Sequence, residues 1–283
     1  MFKIYDKDMK RMNLPQGVIP IKFSRSAIDK NIRISTIEGS HGKTNHGFEY
    51  AEPDMQLEFF IQSHDLPDAE LIRDELYALF ERSAFFYVVS DYQIGKRYKV
   101  QVTGKYMPEE KEEMGILYEV FITISSYGLP FAESVGTSAY IQRDGINSDK
   151  SIWGFGMGLI ADDAALLYKH HAVAGQRFRV FNPGNVGVHP FEQDFKITIS
   201  NVVGSTEKFQ ITNHTNLSKA RVNVPLSNTD VVVYDGPNIT RNTLQFLRDT
   251  RKDFIELSPG WNTIEIYYCT SATIEIDSRF YYK

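Results

Sequence analysis

The sequence predicts a mainly β chain with one amphipathic helix, built as an N-terminal β domain followed by a jelly-roll β-sandwich. Most apolar residues recur with period two, the spacing of one face of a strand. A single segment, Ala69 to Arg82, breaks that rhythm, with Ile72, Leu76, Leu79 and Phe80 at i, i+4, i+7 and i+8. In the last third, Asn-Pro-Gly, Asp-Gly-Pro and Ser-Pro-Gly turns separate short apolar runs about every ten residues, as in a sandwich.

Taken in order, Asn31 to Ile37 alternates through Ile32, Ile34 and Thr36, and Met55 to Phe59 through Met55, Leu57 and Phe59. Arg97 to Thr103 alternates through Tyr98, Val100 and Val102, and all three segments read as half-buried strands. The nearly continuous apolar runs Ala84 to Val89 and Ile116 to Ile124 predict central strands covered on both faces. For the helix, Asp65 is the expected N-cap, Pro67 sits in the first turn where its missing N–H costs nothing, and Asp68 and Glu70 complement the dipole. The polar, acidic stretch Tyr106 to Gly115 reads as the exposed tip of a long hairpin.

The strand pattern stops near Gly128, and Glu133 to Asp149 is rich in Ser, Gly and Asp, which places a division between domains at 1–135 and 136–283. A short helical stretch is expected at Asp162 to Tyr168. Strands then follow at Arg177–Phe181, Phe195–Ser200, Lys208–Thr212, Arg221–Val224, Asp230–Tyr234, Phe254–Leu257, Asn262–Tyr268 and Thr273–Tyr281.

With 31 Lys and Arg against 36 Asp and Glu the net charge is −5, and no basic run is long enough to grip a phosphate backbone, so specific nucleic-acid binding is not expected. Residues 1–130 hold 16 basic and 20 acidic groups, and the remainder 15 and 16. No stretch approaches the ~20 apolar residues of a membrane span, so no membrane insertion is expected. The single cysteine, Cys269, and the charged start Lys3, Asp6, Lys7, Asp8 lead us to expect synthesis and folding in a reducing cytoplasm.

Motifs for chemistry fail one by one. Gly42-Lys43-Thr44 ends like a phosphate-binding loop, but Ile37 stands where the first glycine belongs and Asn45-His46-Gly47 follows instead of a helix. His41 with His46, or His170 with His171, lack the spacing of a zinc site, and adjacent histidines on a strand point to opposite faces. There is no G-x-S-x-G, and Cys269 in a strand-like run reads as a small apolar filler. Gly154, Gly156 and Gly158 lack the spacing and the βαβ setting of a dinucleotide site. The carboxylates Glu109, Glu110, Glu112 and Glu113 sit on a tip that cannot tune a general acid. No catalytic, metal or cofactor residue is therefore expected, and the chain reads as a non-enzyme. Trp153, Trp261, Tyr267 and Tyr268, were they exposed on a sandwich, could stack on sugar rings, which makes a carbohydrate-binding adhesion protein the rival reading.

One family resembles the chain along nearly its whole length. The stretch Arg33 to Ser63, with Gly39, Gly42 and Tyr50, the helix Asp68 to Phe80 followed by Phe85-Phe86-Tyr87-Val88-Val89, and the hairpin Arg97 to Ser125 look like the distal tail protein family of long-tailed phages that infect Gram-positive bacteria. Asp230 to Gly236, Phe254 to Ile266 and Thr273 to Asp277 are similar to that family's closing strands. The resemblance implies a tail-tube-like split β-barrel domain that forms a hexameric ring, plus a galectin-like sandwich. It implies a virion tail-tip location, partners in the tube protein and in the tail-tip lysin or receptor-binding components, and a channel for DNA. Within it, the hairpin tip, Met107, Glu109, Glu110, Glu112, Glu113 and Met114, is the candidate assembly interface.

Overall fold

Alternating side chains commit a strand to one buried face, and the register of neighbouring strands follows from keeping those faces together. The computed structural model describes residues 1–39, 41–111, 116–146, 152–161 and 163–283. The chain divides into two units, residues 1–132 with 283 and residues 133–282.

The first unit contains β1 (Phe2–Tyr5), β2 (Val18–Arg25), β3 (Lys30–Ser35), β4 (Thr44–Tyr50), β5 (Met55–Gln62), α1 (Leu66–Glu81), β6 (Phe86–Ser90), β7 (Lys96–Val102), β8 (Glu109–Glu110) and β9 (Leu117–Ser126). One antiparallel sheet runs in the order β1-β6-β7-β9-β5-β2, with β8 added beside β9. Among the described residues no ladder joins β1 to β2, so the sheet is split rather than closed. Its buried face carries Met55, Leu57, Phe59 and Ile61 from β5 and Val120, Ile122 and Ile124 from β9.

The helix lays Ile72, Leu76, Leu79 and Phe80 on that face, with Phe80 packed against the rings of Phe59 and Phe86. Asp65 caps it as expected: its carboxylate accepts the Asp68 N–H at 2.9 Å, and the Asp68 carboxylate accepts the His64 N–H at 2.9 Å. Asp65→Ala is expected to cost about 1 kcal/mol, read as a lower denaturant midpoint with unchanged m. No change in midpoint would mean that the Asp68 bond to His64 alone holds the helix start.

β6 is buried on both faces, as its apolar run predicted. β9 is central but buried on one face only, because Phe121 and Thr123 point to solvent; the helix packs against the other side. The larger correction concerns β3. It alternates as expected, yet it pairs only with β4 in a separate two-stranded ribbon, and Ile32 and Ile34 are exposed rather than half-buried.

The second unit holds β10 (Ala132–Ser134) at the division, α2 (Ser138–Asp144), β11 (Lys169–Val173), β12 (Phe178–Asn182), β13 (Phe195–Val203), β14 (Phe209–Asn213), β15 (Lys219–Val222), β16 (Val232–Asp235), β17 (Asn238–Arg241), β18 (Leu244–Gln245), β19 (Gly260–Tyr267), β20 (Ser271–Ser278) and β21 (Tyr281–Tyr282). A six-stranded sheet, β11-β20-β13-β16-β17-β18, and a four-stranded sheet, β12-β19-β14-β15, make the sandwich. Ile197, Ile199, Val232, Ile274 and Ile276 from one and Val180, Phe209, Ile211, Ile264 and Ile266 from the other form its core.

Three local expectations change. α2 is a second helix, docked where the Ser138 hydroxyl donates to Ile276 O and accepts the Ser278 N–H. Asp162 lies outside the described residues, and 163–168 is a turn, not a helix: the Asp163 carboxylate takes the Ala165 N–H, and Gln142 Oε1 takes the N–H groups of Tyr168 and Lys169. Phe254–Leu257 is no strand beyond one bridge between Leu257 and Val188, because Asn213, Asn216 and Ser218 side chains satisfy the Glu256 backbone instead of a ladder.

Candidate functional site

The ribbon β3–β4 is the first feature that the packing of the chain on itself does not explain. Cross-strand register places Ile32 opposite Phe48 and Lys30 opposite Tyr50. One face therefore carries Ile32, Ile34, Phe48 and Tyr50, with the Lys30 ammonium 4.7 Å from the Phe48 ring centre. The other face is polar: Arg33 pairs with Glu49, and Ser35 Oγ lies 2.6 Å from His46 Nε2. A register shift between Ile32 and Ile34 is matched on β4 by Gly47, whose φ of 105° favours glycine and whose N–H bonds Asn45 Oδ1. The base is fixed by Tyr50 against Phe131.

On the apolar face Ile32 is 53% exposed, Ile34 51% and Phe48 47%. A lone two-stranded ribbon is marginal in water, and contiguous exposed apolar surface marks an interaction site.

The described residues of the hairpin tip pack on their own unit. Tyr106, expected at an exposed tip, packs instead on Tyr77 and Phe80 of α1, and burial pushes its phenol up to about 12. Met107 is 72% exposed beside Pro108 and Arg73. Glu109 and Glu110 form β8 and pair with Glu119 and Tyr118 of β9. The Lys111 ammonium lies 2.5 Å from Glu119 and 3.9 Å from Glu109, so one cation bridges two carboxylates. Glu112, Glu113 and Met114 lie outside the described residues. The structure thus brings Met107, Glu109 and Glu110 to one edge beside β9.

The chemical motifs are located as follows. Thr44 opens a strand, so no helix N-terminus faces the Gly42-Lys43-Thr44 turn. His170 stacks on Phe178 with ring centres 4.5 Å apart, while His171 is exposed. Burial raises the Cys269 thiol to about 11, the opposite of an activated nucleophile. Trp153 is buried. Among the described residues no three His, Cys, Asp or Glu side chains converge as metal ligands, and no helix is long and apolar enough to cross a membrane.

Residues 9–124, inside the first unit, match the model of the phage tail protein RIFT-related domain. Over its full length the chain superposes on the crystal structure of the SPP1 Dit protein, described as a paradigm of the hub adsorption apparatus in phages infecting Gram-positive bacteria. The TM-score is 0.67 at 10% identity, with 99% of each chain covered. The chain shares the fold of that Dit protein, and its residues 9–124 resemble a phage tail domain. The resemblance to the distal tail protein family read from Arg33–Ser63, the helix and the closing strands therefore holds. Two phage p2 baseplate structures, in activated conformations with Sr and with Ca, are similar at TM-scores of 0.43, with 10% identity and 98% of this chain and 97% of the other covered. No curated protein matches the sequence.

The exposure of the ribbon's apolar face was not read from the sequence, although the face itself was legible. Alternation through Ile32 and Ile34 marks an apolar face; it does not say which molecule covers that face.

Proposed function

We propose that the protein is a structural, non-enzymatic subunit of a phage tail tip that closes into a hexameric ring with copies of itself. Residues 1–135 are the ring-forming domain, residues 136–283 a galectin-like sandwich, and the ring joins the tail tube to the tail-tip lysin or receptor-binding components. Its place is the virion tail tip, after synthesis in the host cytoplasm. The observation that carries this reading is the uncovered apolar face of β3–β4, which a second copy buries head to tail. The match of residues 9–124 to a phage tail domain supports the setting.

Head-to-tail contacts close into rings when the rotation permits, and a protruding ribbon is suited to reach a neighbour. Sixteen basic against twenty acidic groups in residues 1–130 suit a channel that passes DNA without holding it. The acidic edge at Met107, Glu109 and Glu110, followed in the sequence by Glu112, Glu113 and Met114, is a second assembly contact in this reading, directed at a basic neighbour.

Light scattering coupled to gel filtration over a concentration series, with negative-stain imaging, tests it. Ring-shaped particles with a mass several times that of the 32.5 kDa chain are expected. A strictly monomeric species at every concentration, also absent from intact tails, overturns it.

A further inference from the structure

The outer face of the four-stranded sheet in the second unit carries a side-chain network that the fold does not require. Four groups from three separate segments meet there. Arg177, just before β12, places Nε 3.1 Å from Glu265 Oε2, and His214, after β14, places Nε2 2.9 Å from the same oxygen and 3.1 Å from the Tyr267 hydroxyl. Glu265 is 8% exposed although its strand position faces outward, because its neighbours lie over it. Burial alone would raise its carboxyl, but the hydrogen bonds from Tyr267, Arg177 and His214 outweigh that and hold it below the usual range.

Along the same strand β19, Trp261 pairs across with Phe181, ring centres 4.9 Å apart, with the Arg179 guanidinium 4.7 Å from the indole centre. Trp261 and Glu265 are four residues apart, roughly 13 Å at the rise of a strand. The four strands of this sheet hold one acid, Glu265, already matched by Arg177, and three further cations, Arg179, Lys219 and Arg221. The six-stranded sheet is balanced instead, with Lys169, Lys196 and Arg241 against Asp235, Glu275 and Asp277.

We propose that this face binds an acidic oligosaccharide of two or three rings. A sugar hydroxyl both donates and accepts, so it needs a fixed acceptor beside a fixed donor, and the covered Glu265 carboxylate fixes such a pair at the surface, the Arg177 guanidinium as donor and the Tyr267 hydroxyl as acceptor. The Trp261 and Phe181 rings supply an apolar platform for a pyranose face about one disaccharide away. The surplus cations Arg179, Lys219 and Arg221 complement acid groups on the chain. A purely acidic protein surface would use the cations but would offer no pyranose face to the Trp261 and Phe181 rings. This inference does not depend on the ring.

The test titrates the full-length protein calorimetrically with oligomers of galacturonate, hyaluronate and mannuronate, with maltotriose as the neutral sugar and polyglutamate as the acidic chain without sugar. At least one uronate oligomer binds, more tightly than maltotriose, and its affinity falls with salt. Arg177→Met and Trp261→Ala each weaken it about tenfold or more, whereas Lys169→Met on the other sheet does not; matched thermal midpoints show that the variants fold. No uronate binding up to millimolar concentration, equal binding of polyglutamate, or binding untouched by both variants overturns the proposal.

Discussion

The triple variant Ile32→Thr, Ile34→Thr, Phe48→Thr is expected to fold as the parent does and to form no ring. Threonine keeps the β-branched preference for extended backbone, so the ribbon survives with its Arg33–Glu49 pair intact. Each of the three side chains is already about half exposed in the subunit. Covering the remainder is worth about 1 kcal/mol apiece, half the usual gain for full burial of Ile or Phe. The loss is therefore about 3 kcal/mol per contact, roughly a hundredfold in its dissociation constant. In the proposed ring that loss recurs at every interface, so closure is expected to fail at concentrations where the parent ring would form. Arg33→Thr with Glu49→Thr, on the opposite face, should leave assembly intact, since exposed pairs contribute about 0–1 kcal/mol. Scattering mass and subunit melting decide between the readings. A ring that survives the triple variant places the contact elsewhere, and a fall of many degrees in subunit melting makes the three side chains part of the core.

The same ribbon shows what the sequence does and does not disclose. Period-two alternation located β3, β5 and β7 because a strand's geometry is local, but it described Ile32 and Leu57 alike, although one is exposed and the other fully buried. Burial depends on what lies across the face, and for β3 none of the described residues of its unit leaves Ile32 or Ile34 less than half exposed. α1 was legible down to its cap, since Asp65, Pro67 and Asp68 act within one turn. α2 was not: Ser138 is held by β20 residues Ile276 and Ser278, which local composition cannot reveal. The run Ile116 to Ile124 reads as buried on both sides, whereas Phe121 faces solvent. The network on the four-stranded sheet was the least legible, because Arg177 and Glu265 are separated by 88 residues and become neighbours only through the β12–β19 ladder. Its aromatics, Trp261 and Tyr267, were visible as types, without the partners that give them a role.

Within the sandwich a large loss from a single polar residue is expected at Asp230→Ala. Asp230 is 4% exposed and receives a two-point bond from Arg241, Nε to Oδ1 at 2.8 Å and Nη2 to Oδ2 at 2.7 Å. Its Oδ2 also accepts the Ser227 N–H at 2.7 Å and hydroxyl at 2.8 Å, and Asn242 Nδ2 reaches Oδ1 at 3.2 Å. One carboxylate thus ties the turn before β16 to the end of β17, and the bond from Arg241 holds its acid well below the usual carboxylate range against the opposing effect of burial. Alanine leaves the Ser227 N–H and part of the guanidinium without an acceptor, a loss of about 3 kcal/mol, at the lower end for a broken buried pair because Arg241 keeps some access to water. For a unit of this size that is roughly 6–12 °C in the melting of the sandwich. The sign with pH follows from the depressed acid: its stabilisation is complete above the unfolded value of about 4 and is lost as pH falls below it. The gap between parent and variant should therefore be full at pH 7 and shrink steadily below about pH 4. A gap that is the same at pH 7 and pH 3 would assign the loss to packing rather than to the charge, and no loss at pH 7 would remove Asp230 from the groups that hold the sandwich together.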